Sequence, residues 1–168
     1  MLPRTLKNFN VFVNTHSWAG VAESITIPKI TKKTDDYRGA GMIGDVALAM
    51  GYEKLESEVT YAGFDIKQYR QLGVCGTSDL PIRYVGIYER QDNCTNQNVE
   101  IYMRGQALEL DPGTTKNGDR TEITMTYNHT YYRMEVDGVV EVELDLINGI
   151  ERFGDSDIAQ EIRELLGL

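Results

Sequence analysis

Apolar and polar residues alternate along much of this chain, and a period of two predicts β-strands. Phe9 to Asn14 reads as a short strand. Ile25, Ile27 and Ile30 mark a second around Pro28, whose missing amide donor favours an edge or a bulge. Val46 to Met50 and Tyr52 to Tyr61, separated by Gly51, predict a long hairpin. In its second arm Leu55, Val59 and Tyr61 share one parity, and Lys54, Glu56, Glu58 and Thr60 the other, so one face is packed and the other wet and mostly acidic. Phe64 to Leu72 fits a short helix with Ile66, Tyr69 and Leu72 three apart and Gly73 as terminator. Further strands fall at Ile82 to Arg90, Val99 to Leu110 and Thr121 to Val136. The last turns through Asp137-Gly138 into Val139 to Leu146. Gln91 to Asn98 and Asp111 to Asp119 are polar loops. A closing helix runs from Ser156 to Leu166, capped by Asp155 or Ser156. Its stripe of Ile158, Ile162, Leu165 and Leu166 is expected to pack on the subunit's own sheet.

The run from Thr34 to Met50, TDDYRGAGMIGDVALAM, breaks this pattern with a charged stretch and three glycines, Gly39, Gly41 and Gly44. No Lys-Ser or Lys-Thr follows them, as a phosphate cradle requires. Glycines let the backbone turn tightly and approach another chain closely, so the residues alone fit an interface arm or a surface loop. Each ordered residue of a long arm costs ~1 to 2 kcal/mol of backbone entropy, which a partner must offset. There is no internal repeat and no break in composition, so residues 1–168 are expected to form a single domain, with 33–62 as an extended loop and hairpin arm.

The segments NVFVN (10 to 14), SWAG (17 to 20), ITIPKI (25 to 30), YRGAGM (37 to 42), LELDPG (108 to 113), YYRMEVDG (131 to 138) and the closing LLGL, in that order, resemble the major tail tube proteins of contractile-tailed bacteriophages and R-type pyocins. The resemblance spans nearly the whole chain and is specific as a set. One departure lies in the first turn, where that family commonly has Asn-Gly and this chain has Asn14-Thr15, against a positive φ at the second position.

Formal charge is −9, from 17 Lys and Arg against 26 Asp and Glu, which argues against a surface that grips nucleic acid phosphate. Cys75 and Cys94 are too few for a zinc ribbon or a CxxC site and read as reduced thiols of a cytosolic protein. No apolar run reaches membrane length and no secretory signal pattern is present, so no integral membrane association is expected, and Asn93-Cys94-Thr95 and Asn128-His129-Thr130 are chance matches to the glycosylation pattern.

Paired carboxylates are the natural candidates for acid/base chemistry. Glu56 with Glu58, and Glu141, Glu143 and Asp145, fall on strands opposite apolar sets such as Val140, Val142, Leu144 and Leu146, so the expected reading is a solvated sheet face rather than a sugar cleft. His16 and His129 accompany no GxSxG pattern. Asp155 and Asp157 lack the rest of a calcium loop. Neither a metal nor a cofactor is expected. Trp18 is expected to anchor the core. Tyr127, Tyr131 and Tyr132 occupy both parities of one strand, which predicts a strand covered on both faces, as at a subunit interface.

What the resemblance implies is a mainly β, two-sheet, sandwich or barrel-like tail tube fold with a short flanking helix and a C-terminal helix. It implies a structural, non-enzymatic virion protein that polymerises as stacked hexameric rings into the inner tube of a contractile tail. The arm supplies inter-ring contacts from Asp36, Tyr37, Arg38, Gly39, Gly41 and Met42. Ala47, Ala49, Glu56 and Glu58 face the lumen. Partners are further copies of the chain, the sheath, baseplate and tape-measure proteins, and, in a phage, DNA passing without specific binding. The location is the virion tail, assembled in the bacterial host cytoplasm. The alternative is a monomeric β-sandwich module binding a ligand such as carbohydrate, with residues 34 to 44 as an ordinary loop; a carboxylate hydrolase is a third reading.

Overall fold

A computed structural model describes residues 2–168. The strands are β1 (Arg4–Val13), β2 (His16–Ser17), β3 (Ala22–Thr26), β4 (Lys32–Tyr37), β5 (Val46–Tyr52) and β6 (Leu55–Ala62). After helix α1 (Ile66–Gln71) come β7 (Leu80–Arg90), β8 (Thr95–Asp111), β9 (Glu122–Val136), β10 (Val139–Asp145), β11 (Ile150–Phe153) and β12 (Ser156–Asp157), then helix α2 (Gln160–Leu166). All but β4 and β5 belong to one antiparallel sheet of order β12-β11-β10-β9-β8-β7-β1-β2, with β6 and then β3 attached to β9.

The long strand β9 organises the fold. One side pairs with β8 along most of its length; the other pairs with β6 over Glu122 to His129 and with β10 over Tyr131 to Val136. The sheet thus divides into two wings around one core. At the division Thr130 has no partner in β8, between Gly105↔His129 and Arg104↔Tyr131, and this bulge reverses the side-chain parity of β9. Met125 and Tyr127 before it and Tyr132 after it therefore all enter the core, while Tyr131 points outward. The three tyrosines need no interface on both faces, as their alternation had suggested. Gly105 is required here because a Cβ would run into the Asn128 carbonyl and come within 2.8 Å of the His129 Cα.

The β2 end of the sheet meets the branch formed by β6 and β3 at Trp18, which follows β2. Its ring is 2% exposed, lies 4.7 Å from the Tyr61 ring of β6, and stands edge-on to His16 at 4.8 Å. The Ala62 amide donates to the Val21 carbonyl, so this turn ties the edge after β2 to β6 and makes the fold barrel-like without closing the sheet. Truncating a ring so buried costs ~3 to 5 kcal/mol in protein cores. Asn14, not Thr15, takes the positive φ of the β1–β2 turn, at 59°. The β9–β10 turn through Asp137 and Gly138, both of positive φ, is the expected hairpin.

Four expectations are corrected. β5 does not pair with β6: it pairs with β4, so the hairpin is a separate two-stranded ribbon, and residues 34 to 37 are strand rather than loop. α2 begins at Gln160 with Ala159 at its N-cap and no side-chain cap, and its apolar stripe lies in solvent. α1 is capped by Asp65 and Gln68 in a capping box, and turns its glutamines inward. Gln71 accepts a 2.5 Å hydrogen bond from the Tyr127 hydroxyl, which meets the Tyr61 hydroxyl at 2.9 Å, so Phe64, Ile66, Tyr69 and Leu72 are left outside. Asp145 is buried rather than solvated; it accepts from the amides of Ile147 and Asn148 and from the Asn148 side chain, which hold its carboxyl below the usual carboxylate range against the opposing effect of burial.

Candidate assembly surfaces

β6 alternates as expected: Leu55, Ser57, Val59 and Tyr61 are buried, and Glu56 and Glu58 are exposed. Registers across the sheet extend that exposed face beyond β6. Glu56 lies beside Asn128 of β9 and, across it, Gln106 of β8; Glu58 stands in a row with Thr26, Thr126 and Glu109; Thr60 with Ser24, Thr124 and Asp111. These rows carry no large apolar side chain and four carboxylates. Lys54 pairs with Glu56 at 2.6 Å at one end. The β8 and β9 members escaped the sequence reading, although Thr124, Thr126 and Asn128 alternate with Ile123, Met125, Tyr127 and His129 as clearly as β6 does. Ala47 and Ala49 do not adjoin this face on a neighbouring strand. They sit on the ribbon, opposite Asp36 and Thr34 respectively.

The ribbon itself is bare on both sides. Tyr37, Val46 and Leu48 share one face, exposed like Met50, which is 60% accessible, and Ile43 at the tip is fully accessible. Asp36 and Tyr37 end β4, and Arg38 leads into a tight turn in which the Met42 amide donates to the Gly39 carbonyl at 3.2 Å. Gly41 has φ +84°, so this position of the turn demands glycine; at Gly39 a Cβ would meet only the movable Tyr37 hydroxyl at 2.9 Å. At the base, the Tyr52 hydroxyl donates to Glu151 of β11, Lys32 approaches the same carboxylate at 4.0 Å, and the Glu53 amide donates to the Thr31 carbonyl. An isolated two-stranded ribbon is marginal in water.

His129 is sealed in the core. Ser57 Oγ lies 2.6 Å from His129 Nε2, but the pair is fully buried, His129 Nδ1 has no partner, and burial pulls the imidazole down to about 4. His16 packs its ring on Trp18.

A polar sheet face, a ribbon with both sides bare, and two short helices with outward apolar stripes mark a β protein that leaves much apolar area uncovered within one subunit. The family described as Phage tail tube protein FII matches residues 3–167, and the chain belongs to it. It is 39% identical over 170 residues to the tail tube protein of Escherichia phage P2, covering 99% of both chains, and 34% identical to the major tail tube protein of Serratia phage KSP20, covering 99% and 98%. Among solved structures, it matches a chain of the PVC sheath–tube complex of an extracellular contractile injection system in its extended state. The TM-score is 0.61 at 11% identity, over 79% of this chain and 91% of that one. It also matches a chain of the anti-feeding prophage tube-terminating cap, with TM-score 0.61 at 10% identity over 80% and 92%. The tail tube fold, a structural role and a place in the virion tail follow, and the monomeric ligand-binding reading is not favoured.

Proposed function

We propose that this chain polymerises as stacked hexameric rings into the inner tube of a contractile tail, serving as a conduit without catalysing a reaction. The observation that carries the reading is the ribbon: six strand residues in β4 and seven in β5, bare on both sides and fixed at the base alone, have a reason to be ordered only when another chain covers them. Asp36, Tyr37, Arg38, Gly39, Gly41 and Met42 make the contact with the next ring. Glu56 and Glu58, with the Thr126 and Asn128 rows beside them, face the lumen. Ala47 and Ala49 extend that wall once the ribbon lies against its neighbour. A head-to-tail contact closes into a ring when its rotation closes, and axial stacking then has no built-in stop. Baseplate and tape-measure proteins therefore set start and length, the sheath surrounds the tube, and in a genome-bearing particle DNA passes without specific binding. Assembly takes place in the host cytoplasm.

Deleting Asp36 to Gly41 and imaging the purified protein by negative stain tests this. The wild type forms tubes, and the deleted subunit stays soluble and folded but does not stack. Normal tubes from the deleted protein would overturn the assignment of the arm.

A further inference from the structure

One side of the ribbon is apolar, and nothing in its own subunit covers it. Residues opposed across β4 and β5 share a side, so Tyr37 stands with Val46 and Asp35 with Leu48, while Asp36, Ala47, Thr34 and Ala49 occupy the reverse. Alternation along each strand adds Met50 and Lys33 to the first side, nearer the base. Tyr37, Val46, Leu48 and Met50 are all exposed. Asp35 lies in the middle of this patch and forms no ion pair among the described residues.

A second patch of the same kind lies on α1. Gln68 and Gln71 face the core, which turns Ile66, Tyr69 and Arg70 to the opposite side, with Leu72 on its flank. Phe64 packs against Tyr69 with ring centroids 5.5 Å apart and is 67% exposed, and Ile66, Tyr69 and Leu72 are also uncovered. The charge within this patch is Arg70, bordered by Lys67, and neither forms an ion pair among the described residues. Val46 to Met50 extend ~13 Å along the strand and Ile66 to Leu72 ~9 Å along the helix, so, with Phe64 added, the two patches match in length. α2, the other outward helix, does not match: it exposes Glu161 and Glu164, and its cation Arg163 is held by Asp157. A charge shut into a dry contact is strongly unfavourable unless it is paired, so Asp35 selects the patch that carries Arg70.

We propose that the apolar side of the ribbon docks on the outer side of α1 of a second copy, with Asp35 against that copy's Arg70. The ribbon leads into β6 at Leu55 and α1 follows beyond Ala62, so the two patches stand at opposite ends of a strand ~23 Å long. A ribbon that reaches the α1 of the next copy therefore leaves its own α1 free for another, and the contact is head-to-tail. Ala47 and Ala49 stay on the uncovered side. The docking rests on the self-assembly proposed above, and the experiment separates the two.

Charge exchange tests the pair: Asp35→Arg, Arg70→Asp, and both in one chain. Each is checked for folding by circular dichroism, imaged by negative stain and sized by analytical ultracentrifugation. Either single reversal sets like charges together and is expected to lower the assembled fraction at least tenfold at low salt, and the double exchange to restore it. A second measurement needs no change of charge. Leu48→Cys and Ile66→Cys together, in a chain whose free thiols are removed by Cys75→Ser and Cys94→Ser, are expected to cross-link assembled tubes on oxidation into a ladder of covalent multimers on a non-reducing gel. Normal assembly of either single reversal, no recovery in the double exchange, or tubes of the cysteine variant that give no ladder overturns the docking while the tube reading stands. Wild-type protein that never assembles overturns the tube reading, and the docking with it.

Discussion

Gly105→Ala is the sharpest test of how this sheet is built. The residue stands at the division of β9 between its two wings, where β8 slips register against the Thr130 bulge. A methyl group there meets the Asn128 carbonyl and lies 2.8 Å from the His129 Cα. These are backbone atoms, so no side-chain rotation relieves the contact, and the two strands must move apart. Overpacking of this kind costs ~1 to 3 kcal/mol. Separating the Gly105↔His129 pair also weakens ladder hydrogen bonds worth ~0.5 to 1.5 kcal/mol each. A loss of about 3 kcal/mol is expected, or roughly 10 °C in melting temperature for a domain of this size.

Thermal melts followed by circular dichroism measure it, with Gly44→Ala as the control. Gly44 has no atom within 4 Å of a built Cβ and no positive φ, so its substitution is expected to shift stability by less than ~1 kcal/mol. A Gly105→Ala protein melting within 2 °C of the wild type, with the control also unchanged, would refute the close approach of β8 and β9 and with it the account of the bulge.

Two further outcomes follow from buried and exposed charge. His129 titrates near 6.5 when unfolded and is drawn down to about 4 in the fold by burial, so its contribution to stability is fully present above pH 6.5 and is lost as pH falls towards 4. The loss amounts to about 3 kcal/mol; a His129 resonance titrating near 6.5 in the folded protein would refute it. Replacing Glu56 and Glu58 with Lys in a genome-bearing particle is expected to leave tubes that assemble but eject DNA slowly, most markedly at low salt where screening reaches beyond ~10 Å. Unchanged ejection across ionic strength would leave those carboxylates only a solubilising role.

The sequence is most legible where a strand has one dry and one wet face. The alternation of β6, the Asp137-Gly138 turn and the burial of Trp18 all stand as read. β4 was illegible because KKTDDY has no apolar parity, and all six of its residues are exposed within the subunit. The Thr130 bulge has no local signature, since it is set by how β8 and β10 share β9, and missing it made Tyr127 and Tyr132 look like residues of opposite faces. The stripe on α2 was correctly seen as amphipathic, but period alone cannot say whether the covering surface is the same chain or another. The same ambiguity hid which way the predicted helix α1 faces, since buried glutamines satisfy tyrosine hydroxyls and the apolar side is turned out.

These misreadings share a physical cause. The core inside the two wings is complete without partners: Val11, Leu55, Val59, Tyr61, Met125 and Tyr127 are wholly buried within one subunit. The ribbon and both helices carry their apolar residues outside it, on pieces too short to stabilise themselves. A subunit divided in this way can fold first and associate afterwards, because losing the outer contacts leaves the core intact. Its net charge of −9 then works against premature association, since every approaching copy brings the same excess of carboxylates. On the tube reading proposed above, confining exposed apolar area to the ribbon and the two helices favours assembly in one register over aggregation.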